Sequence, residues 1–300
     1  MNKWTLFLCA VLLSSTAMAG EEIDKTLAAD ADGEVLVSNI AGTVVIHGWN
    51  KKEVRVTGEL GKGTKELVFD RDGSKIVIKV EIGKNQNHNQ GRHHRVDDTD
   101  LEIWLPQLSE IEVVTVSADI ETDEVRGNQH LRSVSGEVVT QIWSEDLKIQ
   151  SVSGDATVIG HGPAGVVMVN VVSGDAEIEN VSGEVEVQSV SGDLVLELGD
   201  IKSARVRSTT GDMELSGRLL KGADVEVESI NGDATLVFEG AVHAEIEIET
   251  FNGEIDNCFG PEARRTSKYA PGRELSFTEG DGSGEISIET LNGDVTLCKD

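Results

Sequence analysis

Nine acidic residues occupy one recurring place in a strand–turn–strand repeat, and carboxylates spaced in this way could act as a ladder of ligands for cations. Each follows a Gly or Ala that is itself preceded by Ser, Thr or Asn. The nine residues are Asp119, Glu137, Asp155, Asp175, Asp193, Asp212, Asp233, Glu254 and Asp294. The Gly or Ala residues lie 18, 18, 20, 18, 19, 21, 21 and 40 positions apart. A repeat near 20 residues with a fixed turn is typical of a solenoid, in which each repeat forms one coil stacked on the last.

The acidic column has two physical explanations. Carboxylates on neighbouring coils, about 4.8 Å apart, repel each other by roughly 1 kcal/mol per pair in water. The first explanation is local, because an acid at a tight turn accepts hydrogen bonds from backbone N–H groups while glycine supplies a positive φ. The second is that the column binds Ca²⁺ or a similar hard cation through oxygen ligands. The calcium-roll pattern Gly-Gly-x-Gly-x-Asp is absent, so turn formation is favoured and Ca²⁺ is the alternative.

Two cysteines follow the last two glycines of the column. Cys258 and Cys298 each lie five residues after such a glycine. The 40-residue gap between the glycines is explained by an insertion of about 20 residues rather than by an additional coil. Equivalent positions in neighbouring coils are about 4.8 Å apart, within the Cα range of a disulfide. We therefore predict a Cys258–Cys298 disulfide that holds the last coil, which is expected to have a neighbour on one side only.

The segments between the turns alternate apolar and polar residues, which is the period of a β-strand with one buried face. Segments 223–229 and 244–250 show this alternation clearly. Ser182-Gly183-Glu184 lies nine residues from the column glycines on either side and marks a second turn in the coil. The sequence therefore predicts an all-β, single-chain parallel β-solenoid with coils of 18–21 residues. The Ser, Thr or Asn two places before each acid is expected to form a hydroxyl or amide ladder between coils.

The predicted domains differ in regularity. Residues 111–300 are expected to form the repeat solenoid, with an insertion at about 260–282. Residues 20–110 lack the strict turn and are expected to form an irregular N-terminal β capping region, because the open end of a solenoid must be covered. A mobile loop is predicted at 83–100. The insertion carries a basic cluster, which is exceptional in this chain and is a candidate partner contact: Arg264, Arg265, Lys268 and Arg273.

The first 19 residues have the pattern of a bacterial secretory signal peptide. Lys3 gives the positive start, residues 4–13 the apolar run, and Ala17-Met18-Ala19 the cleavage site. The apolar run is too short to span a bilayer, so the mature chain is expected in the periplasm or outside the cell. Loss of Lys3 changes the formal charge from −28 to −29 (−28 − 1). This charge argues against nucleic acid and anionic lipid as partners, because phosphate binding needs clustered Lys and Arg.

Candidate catalytic residues are few. The chain has no Gly-x-Ser-x-Gly elbow, no His-Glu-x-x-His motif and no phosphate-binding glycine loop between strand and helix. His88, His93 and His94, with nearby Asp residues, are weak candidates for a Zn²⁺, Cu²⁺ or Ni²⁺ site, since their spacing fits no closed motif. We predict no enzyme, no catalytic residue and no cofactor. A glycan-active β-helix enzyme is the alternative of a different class.

The Ser/Asn-Gly-Asp/Glu coils resemble the DUF4097 family, also called the "putative adhesin" or β-strand-repeat family. Three further segments carry the resemblance: 40–54, 103–106 and 282–294. Together with the coils they cover roughly residues 30–300. The resemblance implies a parallel β-solenoid that is exported or associated with the envelope and has no established catalytic activity. We therefore expect a non-enzymatic, adhesin-like binding or cell-envelope scaffold protein, whose partner is a protein or glycan of the envelope.

Overall fold

The computed structural model describes residues 21–83, 97–267 and 271–300, and these residues form strands and no helix. None of them therefore belongs to a helix that could cross a membrane. The predicted signal peptide lies outside the described residues, as do His88, His93, His94 and Lys268. The strands are β1 (Glu21–Ala28), β2 (Glu34–Trp49), β3 (Glu53–Leu60), β4 (Thr64–Asp72), β5 (Lys75–Ile82), β6 (Thr99–Pro106), β7 (Glu110–Asp123), β8 (Gln129–Ser135), β9 (Val138–Ile142), β10 (Leu147–Ser153), β11 (Ala156–Ser173), β12 (Ala176–Ser191), β13 (Leu194–Thr210), β14 (Met213–Asn231), β15 (Ala234–Phe238), β16 (Ala244–Asn252), β17 (Ile255–Asn257), β18 (Arg264–Arg265), β19 (Arg273–Glu279), β20 (Gly284–Asn292) and β21 (Val295–Lys299).

Each coil has two strand segments that meet at the turn of the acidic column, which we call the corner. The segment before the corner lies on the front face of the rod, and the segment after it lies on the back face. Alternation buries one side of each: Val225 and Val227 are buried in β14, whereas Glu226 and Glu228 face outward. The core between the two faces consists mainly of Val, Ile, Leu and Ala, and Phe238 is its largest fully buried side chain.

Neighbouring coils are parallel and in register, which confirms the predicted β-solenoid. On the back face, Ala156, Ala176, Leu194 and Met213 occupy equivalent positions of successive coils. The described front face has eleven parallel strands, in the spatial order β5, β2, β7, β8, β10, β11, β12, β13, β14, β20 and β16. With strands about 4.8 Å apart, the stack is roughly 50 Å long.

Spatial order departs from chain order at the N-terminal end. β2 pairs in parallel with β7 on one side and with β5 and β6 on the other, so the coil made by β5 and β6 is the outermost. The parallel stack therefore starts within residues 20–110, and β6 begins at Thr99. Antiparallel strands cover this end: β3 and then β1 lie beyond β6, and β4 lies beyond β5.

At the C-terminal end, too, the spatial order of the coils departs from their order along the chain. The expectation that each coil stacks on the preceding one is wrong here. β20 lies between β14 and β16, and β21 lies between β15 and β17. Along the chain, the coil of Gly253 follows the coil of Gly232. In space, the coil of Gly293 lies between these two, and the coil of Gly253 is the outermost. Within the insertion, β19 runs antiparallel along β16 and β18 pairs with β19, so this segment covers the outer front edge.

The structure brings Cys258 and Cys298 to disulfide distance, with their Cα atoms 4.8 Å apart. The prediction that the two cysteines occupy neighbouring coils is confirmed. The expectation that the last coil has a neighbour on one side only was wrong. The coil of Cys298 has a neighbour on both sides, and the coil of Cys258 is the outer one. A bond here joins the outermost coil to the neighbouring coil, which is the last along the chain.

Replacing both cysteines, as in Cys258→Ser/Cys298→Ser, is expected to lower the free energy of unfolding by about 2–4 kcal/mol. The bond closes a segment of 40 residues, and its loss returns that loop entropy to the unfolded chain. Urea unfolding with and without reductant measures the effect. Reductant should lower the midpoint of the wild type and leave that of the double variant unchanged. Two reactive thiols in the purified native wild type would contradict the prediction.

Candidate binding edge

The corners of neighbouring coils are in direct backbone contact, which explains their glycines. Gly192 has φ +136°, and a Cβ on it would lie 2.0 Å from the carbonyl oxygen of Gly174. The same approach, at 2.0–2.5 Å, recurs at Gly136, Gly154, Gly174, Gly211, Gly232, Gly253 and Gly293. A side chain at any of these positions would push two coils apart.

The corner acids join one coil to the next through their side chains. The Oδ1 atom of each Asp accepts a hydrogen bond from the backbone N–H of the corner acid in the adjacent coil, at 2.8–2.9 Å. We call this series the carboxylate ladder. Its seven bonds run from the N–H of Glu137 to Asp119, Asp175 to Asp155, Asp193 to Asp175, Asp212 to Asp193, Asp233 to Asp212, Asp294 to Asp233 and Glu254 to Asp294.

The ladder refines the turn-forming explanation of the column. The carboxylate satisfies a backbone donor of the neighbouring coil rather than one of its own turn. A hydrogen bond to an ionised acceptor is stronger than a neutral one, and it offsets the repulsion between stacked acids. Among the described residues, no group of three or more His, Cys, Asp or Glu has the arrangement to hold a metal. Ca²⁺ binding by the column stays the alternative prediction.

Glutamates interrupt or end the ladder. Among the described bonds, none joins the carboxylate of Glu137 to the N–H of Asp155, where a further rung would complete the series. Glu254 stands at the outer end of the column, and its Oε1 accepts a hydrogen bond of 2.7 Å from Arg273 of β19. One member of the predicted basic contact is thus paired within the chain. Arg264 and Arg265 are exposed.

The residues two places before the corner acids were predicted to form a second ladder of hydroxyl or amide groups. This ladder is seen where those residues are Asn. Asn292 Nδ2 donates to Asn231 Oδ1 at 3.0 Å, and Asn252 Nδ2 donates to Asn292 Oδ1 at 2.9 Å. Amide groups carry both donor and acceptor, so they can bond in series along the stack. These bonds confirm the order in which the last three coils stack.

An exposed apolar ridge runs beside this column, and the sequence reasoning missed it. The residue three places before each corner acid faces outward and is apolar in eight of nine coils. In spatial order the ridge consists of Val116, Val134, Val152, Val172, Val190, Thr209, Ile230, Leu291 and Phe251. Its apolar members are 45–52% exposed. With coils about 4.8 Å apart the ridge is roughly 40 Å long. The recurring Val-Ser-Gly was a visible signal, but strict alternation does not show that two consecutive residues face outward at a corner.

A groove follows the ridge on the front face. It has a volume of about 670 Å³. The ridge forms one wall, and the outward side chains two positions earlier in each coil form the other, among them Asn170, Gln188 and Arg207. The Arg207 guanidinium donates hydrogen bonds to Glu226 and Glu228, and these bonds raise the pKa of Arg207. The groove is therefore apolar on one side, and polar and charged on the other.

In an aromatic cluster on the back face, side chains of this chain lie against the Trp104 ring. Trp104 lies between Arg55 and His47 on the neighbouring strands. The Arg55 guanidinium carbon is 5.6 Å from the Trp104 ring centroid, and the His47 ring is 5.7 Å from it. Glu102 and Asp123 flank His47 at 3.5 and 3.7 Å. Because side chains of this chain already lie against the indole, a glycan would have to displace one of them in order to stack on it.

The chain is similar to one protein family and to several solved structures. The family model described as "Toastrack DUF4097" matches residues 34–298. A solved "putative adhesin" from Bacteroides fragilis is 11% identical, covers 93% of this chain and 97% of its own, and has a TM-score of 0.46. A "putative lipid binding protein" from Parabacteroides distasonis is 11% identical, with 94% and 97% covered and a TM-score of 0.44. No curated protein matches the chain.

The substitution Glu137→Asp is expected to stabilise the protein by about 0.5–1.5 kcal/mol, because a shorter carboxylate adds the missing rung to the N–H of Asp155. Asp193→Ala, which removes a rung, should destabilise it by a similar amount. Urea midpoints measure both changes, and Glu177→Asp on the outward back face is the matched control with no expected effect. A ladder that acts through hydrogen bonds also gives the same midpoints in Ca²⁺ and in EDTA. A midpoint that Ca²⁺ raises in the wild type but not in Asp193→Ala would contradict this account.

Proposed function

The chain belongs to the DUF4097 (Toastrack) family, and from that premise we propose that it is an exported, non-enzymatic protein that binds a partner of the cell envelope along its corner edge. The corner edge comprises the ridge, the groove beside it and the carboxylate ladder. The ridge is the observation that carries the proposal. An apolar side chain that is half exposed at the same place in eight of nine coils forms an aligned apolar surface, interrupted at Thr209, rather than scattered exposed residues.

Export is supported by the N-terminal pattern. Lys3, the apolar run at 4–13 and Ala17-Met18-Ala19 are the three parts of a secretory signal. A disulfide between Cys258 and Cys298 also suits an oxidising compartment outside the cytoplasm. The adhesin-like role is consistent with a long rod, because a solenoid offers an extended surface that a partner can contact at many equivalent places.

The composition of the edge suits binding rather than self-association. Large exposed apolar surfaces usually mark contact sites. Here the ridge is flanked along its length by the acids of the carboxylate ladder, and the whole mature chain is strongly acidic. Like charges on two copies oppose their approach, so the edge keeps the free protein soluble and leaves the ridge accessible to a different partner.

The basic insertion is the second place where a partner could bind. Arg264 and Arg265 are exposed in β18, whereas Arg273 is hydrogen-bonded to Glu254. The insertion also covers the outer edge of the stack through β19. Its structural role as a cap is sufficient to account for it, and the ridge is therefore the favoured contact.

Co-sedimentation of the purified mature protein with cell-envelope fractions tests the proposal. The wild type is expected to sediment with the envelope, and Val152→Asp/Val190→Asp, which places two charges in the ridge, should reduce the bound fraction at least about tenfold, since a buried unpaired charge costs several kcal/mol at an interface. Val139→Asp, outward on the back face, is the matched control. Arg264→Gln/Arg265→Gln tests the insertion.

Loss of binding by the ridge variant, together with retention by both the control and the arginine variant, would support the ridge as the contact. Retention by the ridge variant would contradict it. Loss of binding in the arginine variant alone would move the contact to the insertion. A wild type that binds no envelope fraction would refute the proposed function.

A further inference from the structure

We propose that the C-terminal third of the ridge, formed by Ile230, Leu291 and Phe251, is the main anchor of the interface and takes a cationic amphipathic segment of a partner protein. This inference rests on the proposed function and assigns the chemistry of the partner. Two features of this part of the rod carry it. The apolar side chains are largest here, and a row of glutamates lies beside them.

The ridge changes in size along the rod. Its first five positions are Val, followed by Thr209, Ile230, Leu291 and Phe251 in spatial order. Phe251 is 52% exposed. Burying an aromatic or a Leu at an interface yields more than burying a Val, and binding free energy concentrates on such anchors. A partner would therefore gain most at the end of the stack where the out-of-order coil of Gly293 meets the outer coil of Gly253.

A row of glutamates flanks these three residues on the front face. Glu228, Glu289, Glu249 and Glu274 occupy equivalent positions on four neighbouring strands. Glu228 is paired with Arg207. Among the described residues no ion pair joins Glu249 or Glu289 to a cation. Like charges directly opposite each other on paired strands are destabilising, so the row carries a cost in the isolated protein that a partner's Lys or Arg would offset.

The carboxylate ladder flanks the same three residues on the other side. Asp233 and Asp294 are exposed corner acids with one oxygen in the ladder. The apolar anchor thus has carboxylates on both sides, as an interface with an apolar centre and a charged rim does. The complement of this surface is a segment with apolar residues along its middle and cations on both sides.

The groove gives such a segment a path along the rod. The main groove ends at Glu289, Thr290 and Leu291. A second depression of about 160 Å³ shares Glu289 and Thr290 and continues to Phe251 and Arg273. An extended segment could therefore lie parallel to the rod across the last coils. A second copy that docked through its own corner edge would bring acids to the glutamate row, so charge complementarity at this edge favours a basic partner.

The probe is a fluorescently labelled ten-residue peptide of alternating Leu and Lys, and its binding is measured by anisotropy at physiological salt. A peptide of alternating Ser and Lys has the same charge without the apolar residues. The wild type is expected to bind the Leu–Lys peptide at least about tenfold more tightly than the Ser–Lys peptide, because only the first can bury the anchor. Affinity should fall as salt is raised, since part of it is electrostatic.

Variants locate the site. Phe251→Ala and Glu249→Gln/Glu289→Gln should each weaken the Leu–Lys peptide at least about fivefold, through lost apolar contact and lost charge respectively. Val139→Ala and Glu177→Gln, both outward on the back face, are the matched controls and should bind as the wild type does. The glutamine variant relieves repulsion and is expected to be at least as stable as the wild type, so its loss of binding would report the lost charge.

Three results would overturn the inference. The first is equal binding of the two peptides, the second is equal loss in the site and control variants, and the third is binding of zwitterionic phosphatidylcholine vesicles without binding of the peptide. A wild type that binds envelope fractions but not the Leu–Lys peptide would overturn this inference and leave the proposed function standing. A wild type that binds the peptide at Phe251 but binds no envelope fraction would overturn the proposed function and leave the assigned peptide site standing.

Discussion

The contact between backbones at the corner is the constraint on which the rest of the molecule depends. A Cβ on any of the eight corner glycines would lie 2.0–2.5 Å from the carbonyl oxygen of the neighbouring corner residue, so at these positions only glycine lets the coils stack at strand spacing. The close approach places each backbone N–H beside the carboxylate of the adjacent coil, and the carboxylate ladder follows from it. The same tight turn makes two consecutive residues face outward before the glycine. The ridge and the ladder are therefore both consequences of how the chain turns.

The ends of the rod are organised by a second constraint, which is the exposed edge of a sheet. An uncovered edge of a β-stack invites association with other chains. At both ends the chain builds a coil out of order and covers the front edge with antiparallel strands, β4 at one end and β19 at the other. The coil of Gly293 is inserted between two others, so the C-terminus is held on both sides. At the outer end of the column of acids, Arg273 donates a hydrogen bond to Glu254.

Much of the fold could be predicted from the sequence because each repeat carries its own information. The spacing of the glycines predicts the coil, alternation predicts its two faces, and the equivalent positions of Cys258 and Cys298 predict their proximity. The order of the last coils could not be predicted in this way, because every coil has the same pattern and nothing local states which neighbour it takes. The choice is made by long-range packing.

The candidate site was predicted less well, for related reasons. The corner acids were identified, but the target of each carboxylate depends on the separation between coils rather than on the turn itself. Glu137 and Asp155 look equivalent in sequence. Asp155 accepts a hydrogen bond from the next coil, whereas Glu137, whose side chain is one methylene group longer, does not among the described bonds. The ridge was missed because the exposure of residues such as Val190 depends on the geometry of the corner. The basic cluster was prominent in composition, whereas the structure uses Arg273 within the fold.

Hydrogen exchange of the corner amides tests the central claim that carboxylates join the coils. The N–H groups of Asp175, Asp193, Asp212, Asp233 and Asp294 each donate to an acid of the adjacent coil. The N–H of Asp155 faces Glu137 and lacks this bond among those described, which makes it an internal reference. The account predicts that the five amides exchange at least about tenfold more slowly than that of Asp155, because exchange requires the donor to open. Equal exchange at all six corners would contradict it.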